Sequence, residues 1–87
     1  MTIPSVASTR FWQAFRSLPR EVRRQATAAY RLWQHDAFHP SLHFKKVGPD
    51  LWSVRVGMQY RALARFEGNV LVWTWIGTHA DYDQLLR

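Results

Sequence analysis

The sequence contains no cysteine, which removes a disulfide framework and any thiolate zinc site. No apolar run approaches the roughly 18–20 residues of a membrane span. The first residues lack a basic stretch followed by an apolar one, so no secretory leader is expected. No internal repeat, low-complexity tract or linker interrupts the chain. Acidic residues are scarce: six Asp+Glu stand against twelve Lys+Arg, for a formal charge of +6. The expectation is one soluble, cytoplasmic domain spanning residues 1–87.

What is present is a rich core. A chain of 87 residues buries only about 60–65% of its unfolded surface and needs strong packing to be stable. Hydrophobic residues make up 47% and aromatics 15%, with five Trp; that composition excludes intrinsic disorder. Ten of the twelve basic residues are Arg, the side chain suited to bidentate phosphate contacts. A small Arg-rich domain points to nucleic acid or an acidic protein as partner, or to a solvated basic surface. Residues 10–31 hold six Arg and one acid, Glu21, and residues 45–65 hold five basic residues and one acid, Asp50.

The pattern divides the chain into a helical half and a strand half. Ile3 and Val6 could form a short edge strand, where Pro4 is tolerated. Ser8 or Thr9 can cap a first helix over about residues 10–17. Its buried stripe is Phe11, Phe15 and Leu18. Pro19 suits the first turn of a second helix, expected from about 20 to 35. Val22, Ala26, Ala29 and Trp33 repeat at helical spacing, with Arg20, Arg23, Arg24 and Arg31 mostly on the other side. Together these read as a helical hairpin. After the connector Asp36–Pro40 the period changes to two. Leu51–Val56, Tyr60–Glu67 and Val70–Ile76 read as strands, joined at Gly57-Met58-Gln59 and Gly68-Asn69. Thr78 or His79 opens a short C-terminal helix.

Loop length then sets register. A three-residue loop at 57–59 pairs Val56 with Tyr60 and Arg55 with Arg61. A two-residue loop at Gly68-Asn69 pairs Glu67 with Val70, Arg65 with Val72 and Leu63 with Thr74. Alternation then places Trp52, Val54, Val56, Tyr60, Ala62, Ala64, Phe66, Leu71, Trp73 and Trp75 on a core face. Ser53, Arg55, Arg61, Arg65 and Thr74 share the other face with Leu63, Val72 and Ile76. If Leu42 and Phe44 face the core, His43 and Lys45 join the basic face. Like charges directly opposite are destabilising, so Arg55 and Arg61 need open solvent or an anion between them.

With these elements in order, the strings Trp52-Ser53-Val54-Arg55-Val56, Tyr60-Arg61-Ala62-Leu63 and Ile76-Gly77-Thr78-His79-Ala80-Asp81-Tyr82-Asp83 make the chain resemble the RelE/ParE superfamily of bacterial toxins. Leu18-Pro19-x-x-Val22 and the His39–Lys45 segment fit as well. The resemblance runs from Phe11 to Leu86. It implies an α+β fold, with an N-terminal helical hairpin packed on a four-stranded antiparallel sheet and a short C-terminal helix. It implies the toxin of a type II toxin–antitoxin pair, partnered by a cognate antitoxin. RelE-like and HigB-like members cleave mRNA in the ribosomal A site; ParE-like members inhibit DNA gyrase by binding, without catalysis. Arg61 matches the arginine that RelE-like nucleases use at the scissile phosphate, and Arg55 matches a basic strand residue of that site. His79 stands where RelE itself has another arginine, and the Gly-Thr-His-x-x-Tyr-Asp string is closer to HigB-like toxins.

The expected activity is a metal-independent, cofactor-free mRNA endonuclease. Cleavage by 2′-OH attack needs a base, a cation beside the phosphorane and an acid for the 5′-oxygen. Arg61, Arg55 and His79 are the catalytic candidates. Lys45, Lys46, His43 and Arg65 are the candidate RNA phosphate contacts, with Lys45 or His43 able to supply the second proton-transfer group. Asp81 could orient an imidazole or serve as a first-turn helix acid. Tyr82 could stack on a base or pack under the last helix. His79 could be catalytic or a helix cap. His35, His39 and His43 have the spacing of a helical metal site, but Pro40 prevents a helix there, so no metal is expected. The Trp residues are expected in the core rather than on a base-stacking platform.

Overall fold

The computed structural model describes residues 2–87 of the protein. A short strand β1 (Ser5–Ala7) precedes helices α1 (Thr9–Arg16) and α2 (Arg20–His35). A 3-10 turn at Pro40–Leu42 leads into β2 (Lys45–Gly48), β3 (Leu51–Val56), β4 (Tyr60–Glu67) and β5 (Val70–Thr78). Helix α3 (His79–Leu85) closes the chain. The sheet order is β1-β5-β4-β3-β2.

That sheet has five strands and is mixed, not four-stranded and antiparallel. Residues β2 to β5 pair antiparallel as expected, while β1 lies parallel to β5, with Val6 beside Val72. The Leu71 N–H donates to Pro4 O at 2.9 Å and the Ser8 N–H donates to Trp73 O at 3.0 Å. Three residues thus satisfy backbone groups that an edge strand would otherwise leave open. It is the short edge strand that Ile3 and Val6 allowed, with Val6 in it and Pro4 just before it; a strand that short carries no alternation from which its partner or direction could be read.

The helices follow their local signals. Ser8 caps α1, its Oγ accepting from the Phe11 N–H at 3.1 Å. Pro19 precedes α2, which runs over the expected span. Both helices lie on one face of the sheet, with Phe11, Ala14, Phe15 and Leu18 packed against its core. Trp33 is buried at the centre, edge-on to Trp73 at 5.2 Å and to Phe44 at 5.8 Å between ring centroids. An apolar cleft of about 300 Å³ remains between α1, α2 and the sheet, with Val6, Trp12 and Tyr30 among its exposed lining residues.

The register holds through β3 and half of β4. Arg55 pairs with Arg61, Val56 with Tyr60, Arg65 with Val72 and Glu67 with Val70. Between Leu63 and Ala64 it slips: Ala64 pairs with Trp73 but Leu63 pairs with Trp75, so Thr74 is the extra residue of a bulge. The slip corrects three assignments. Ile76 turns into the core, where it is 3% exposed. Trp75 turns to the arginine face beside Gly77. Leu63 faces Trp75 rather than Thr74. A Cβ on Gly77 would collide with the Trp75 indole, so glycine there lets the ring lie flat along its own strand.

Candidate functional site

The arginine face is floored by three rungs of the sheet. The first is Arg55, Arg61 and Gly77; the second is Lys45, Ser53, Leu63 and Trp75; the third is Leu51, Arg65 and Val72. Helix α3 starts at the first rung. Thr78 caps it, its Oγ1 accepting from the Asp81 N–H at 3.1 Å. The His79 N–H donates to Gln59 O at 2.7 Å, which ties the start of α3 to the β3–β4 loop.

Tyr82 sits at the middle of this arrangement. It is 6% exposed, and its hydroxyl donates to Ser53 Oγ at 3.2 Å. The Arg61 Cζ lies 5.5 Å from the Tyr82 ring centroid, and the His79 ring lies 5.8 Å from it. Tyr82 therefore brings Arg61 and His79 against one ring. The His79 Nε2 lies 3.4 Å from Asp83 Oδ1, the only ion pair among the described residues.

The two arginines are held differently. Arg55 Nε donates to Gly57 O at 3.1 Å, and its terminal nitrogens reach His43 Nε2 at 3.5 Å and Met58 Sδ at 3.6 Å. Arg61 has no such support. Its Nε and Nη1 are buried and have no hydrogen-bond partner among the described residues. A buried guanidinium with unmet donors is costly, and an anion between Arg55 and Arg61 would relieve it. His43 reaches Arg55 from a left-handed backbone, φ 46°, after the Pro40–Leu42 turn. Histidine tolerates that conformation better than most residues, and here it closes the 3-10 turn.

A family model described as a ParE-like toxin domain matches residues 20–84. The chain belongs to that family. The toxin also shares its fold with solved structures. A chain of the RelB–RelE antitoxin–toxin complex from Methanococcus jannaschii aligns at a TM-score of 0.73 and 14% identity, covering 94% of this chain and 99% of that one. The YoeB/ParE toxin from Agrobacterium tumefaciens gives 0.68 and 14%, over 87% and 98%. A mutant of the E. coli toxin RelE in the free state gives 0.69 and 15%, over 95% and 90%. No curated protein matches the sequence.

Within this toxin, the residues singled out in the sequence separate into two groups. Arg55, Arg61, His79, His43 and Lys45 lie on or at the rim of one face. Lys46 does not: it pairs with Trp52, on the helix side of the sheet, because alternation after Lys45 turns it away. Arg65 shares the arginine face but stands four residues from Arg61, about 13 Å along the strand. It donates to Pro49 O at 3.3 Å, which fastens the β2–β3 turn. Tyr82 is the buried residue of α3, turned onto the sheet at Ser53, and at 6% exposure its ring is covered rather than open to a base. Thr78 makes the cap, so the His79 side chain is not used for capping. Asp83, not Asp81, faces His79. The spacing from His79 to Asp83 is one helical turn, a signal readable once Thr78 is recognised as the cap. Ser53 and Met58 were missed; their roles depend on what packs over the sheet.

Proposed function

We propose that this toxin is a metal-independent endoribonuclease that cleaves mRNA on the ribosome, and that a cognate antitoxin neutralises it. The observation that carries the reading is Arg61: a partly buried cation with two unmet donors, opposite a second cation, Arg55, that touches the His43 imidazole, and against a Tyr82 ring that the His79 imidazole also approaches. An RNA phosphate seated between Arg55 and Arg61 would supply the missing acceptors. As the 2′-oxygen attacks phosphorus, charge builds on the non-bridging oxygens, and the guanidinium pair would stabilise it. One imidazole takes the 2′-proton and the other gives a proton to the departing 5′-oxygen, leaving a 2′,3′-cyclic phosphate and a 5′-hydroxyl. His43 and His79 flank the pair from opposite sides, through Arg55 and Tyr82 respectively, which suits those two roles. Asp83 would steady the His79 imidazolium.

An antitoxin partner is supported by the fold, which is shared with a toxin solved bound to its antitoxin. The apolar cleft between α1, α2 and the sheet offers such a partner a place for apolar side chains. The ParE-like family model favours one other reading, inhibition of DNA gyrase by binding without catalysis. The experiment that separates them is expression in cells followed by single-turnover cleavage of mRNA on purified ribosomes. Growth should arrest, and His79→Gln should lower cleavage about 10²–10⁴-fold while leaving ribosome binding intact. Full cleavage by His79→Gln would remove His79 from the chemistry. Gyrase inhibition with no ribosomal cleavage by the unaltered toxin would replace the nuclease reading.

A further inference from the structure

The β3–β4 loop, Gly57-Met58-Gln59, carries both arms of the arginine face. Gly57 O accepts from Arg55 Nε at 3.1 Å, and Gln59 O accepts from the His79 N–H at 2.7 Å. Between them stands Met58, 81% exposed, the most exposed large apolar side chain among the described residues. A single apolar residue on a surface needs no explanation of its own; the contact that Met58 makes does. Its Sδ lies 3.6 Å from Arg55 Nη2. A thioether is a weak acceptor, so this contact holds the guanidinium loosely. The other terminal nitrogen meets His43 Nε2 at 3.5 Å, and no carboxylate comes within ion-pair distance of Arg55 among the described residues. The bond to Gly57 O orients the guanidinium and leaves both terminal nitrogens open to a stronger acceptor.

We propose that Met58 is a site of oxidative modification that governs Arg55: a peroxide converts its thioether to the sulfoxide, whose oxygen then holds the guanidinium in place of an anion. The Sδ lone pair attacks one oxygen of hydrogen peroxide. The S–O bond forms as the O–O bond breaks, and the second oxygen leaves as water with both protons. Sulfur is oxidised and the peroxide is reduced. The exposure of Met58 favours the reaction, and a polar product in solvent costs no burial, so the fold is spared. The new oxygen carries partial negative charge. Bonded to Sδ and inclined to the Arg55 contact, it falls within the roughly 2.7–2.9 Å of a charge-assisted hydrogen bond with no movement of the backbone. The proposal rests on the reading of Arg55 and Arg61 as the grip on phosphate: an arriving anion must then displace a competitor tethered to the same loop, at high effective concentration. Methionine sulfoxide is reduced back enzymatically, so the change works as a reversible switch.

The test uses the full chain, hydrogen peroxide as oxidant and sulfate as the anion. Tryptic mass mapping follows oxygen uptake at Met58, which is separated by several cleavage sites from Met1, the only other methionine. Sulfate affinity is read from the rise of Tm with sulfate at constant ionic strength. Oxidation of Met58 should weaken it about 10-fold, the equivalent of one charge-assisted hydrogen bond, and methionine sulfoxide reductase should restore it. Met58→Gln, with a carbonyl oxygen near the place of the sulfoxide oxygen, should show the weakened affinity without peroxide. Should peroxide unfold the chain, that variant carries the test alone. Met58→Leu should give the same affinity before and after peroxide. In Arg55→Gln the oxidation of Met58 should have no further effect, a result that general loosening of the loop would not produce. Equal sulfate affinity before and after complete oxidation of Met58 overturns this proposal and leaves the phosphate reading standing. A peroxide-induced loss of the same size in Met58→Leu overturns it as well, since another side chain would then be responsible. Absence of any sulfate response in the unoxidised protein overturns both.

Discussion

Replacing Arg61 by Met should make the protein more stable while abolishing its fit to phosphate. Met keeps the unbranched stem that packs beside Tyr82 but removes the guanidinium. Three terms change. The buried Nε and Nη1 that lack partners no longer need to be desolvated, a relief of about 1–3 kcal/mol. The like charge opposite Arg55 disappears, worth about 0.2–1 kcal/mol. The cation–π contact with Tyr82 at 5.5 Å is lost, at a cost of about 0.5–1 kcal/mol. The balance is a gain of about 1–2 kcal/mol, and for a domain of this size each kcal/mol moves Tm by about 4–8 °C. Thermal melts at constant salt measure it directly. A second measurement separates site from scaffold. Sulfate, as a phosphate mimic, should raise the Tm of the parent protein by mass action and raise that of the variant far less. A variant less stable than the parent by more than about 1 kcal/mol would refute the reasoning, because Arg61 would then be a structural cation whose partners are already in place.

Trp73→Ala removes a ring that packs edge-on against both Trp33 and Tyr30, and urea unfolding should show a loss of about 3–5 kcal/mol. Trp73→Phe should cost less, since the Trp73 indole N–H is buried without an acceptor. Gly77→Ala places a methyl group against the Trp75 indole; it should destabilise by about 1–3 kcal/mol and shift the near-ultraviolet circular dichroism of that indole, whereas Gly68→Ala, with open space around it, should leave that signal unchanged.

The legible part of the fold was the part set by short-range rules. Helix α2 was readable because Pro19 opens it and the Val22, Ala26, Trp33 stripe runs along one side. The pairing of Arg55 with Arg61 was readable because a three-residue loop leaves few registers, and a shift of one residue would have sent the Val54 and Ala62 set out of the core. The bulge at Thr74 was not readable. Trp73, Trp75 and Ile76 are all apolar, so nothing in the local pattern says which two of them face the helices. Only the packing of α1 and α2 on one face, and of α3 with Tyr82 on the other, decides it.

The same division holds for the site. Sequence alone determined that two arginines stand opposite each other on a surface short of acids, and that His79 begins a helix beside them. Tertiary structure decided the rest. It closed Tyr82 over Ser53, so that ring became the common neighbour of Arg61 and His79. It swung His43 in a left-handed turn onto Arg55, and it sent Lys46 to the far side of the sheet. It also decided that the edge strand allowed for around Ile3 and Val6 forms, as β1 parallel to β5, since its three residues gain stability only from a strand more than sixty positions away in the chain. Local spacing can fix which residues share a face. Which groups are then covered, and which donors are left unmet, depends on long-range contacts that bury one side chain and spare its neighbour.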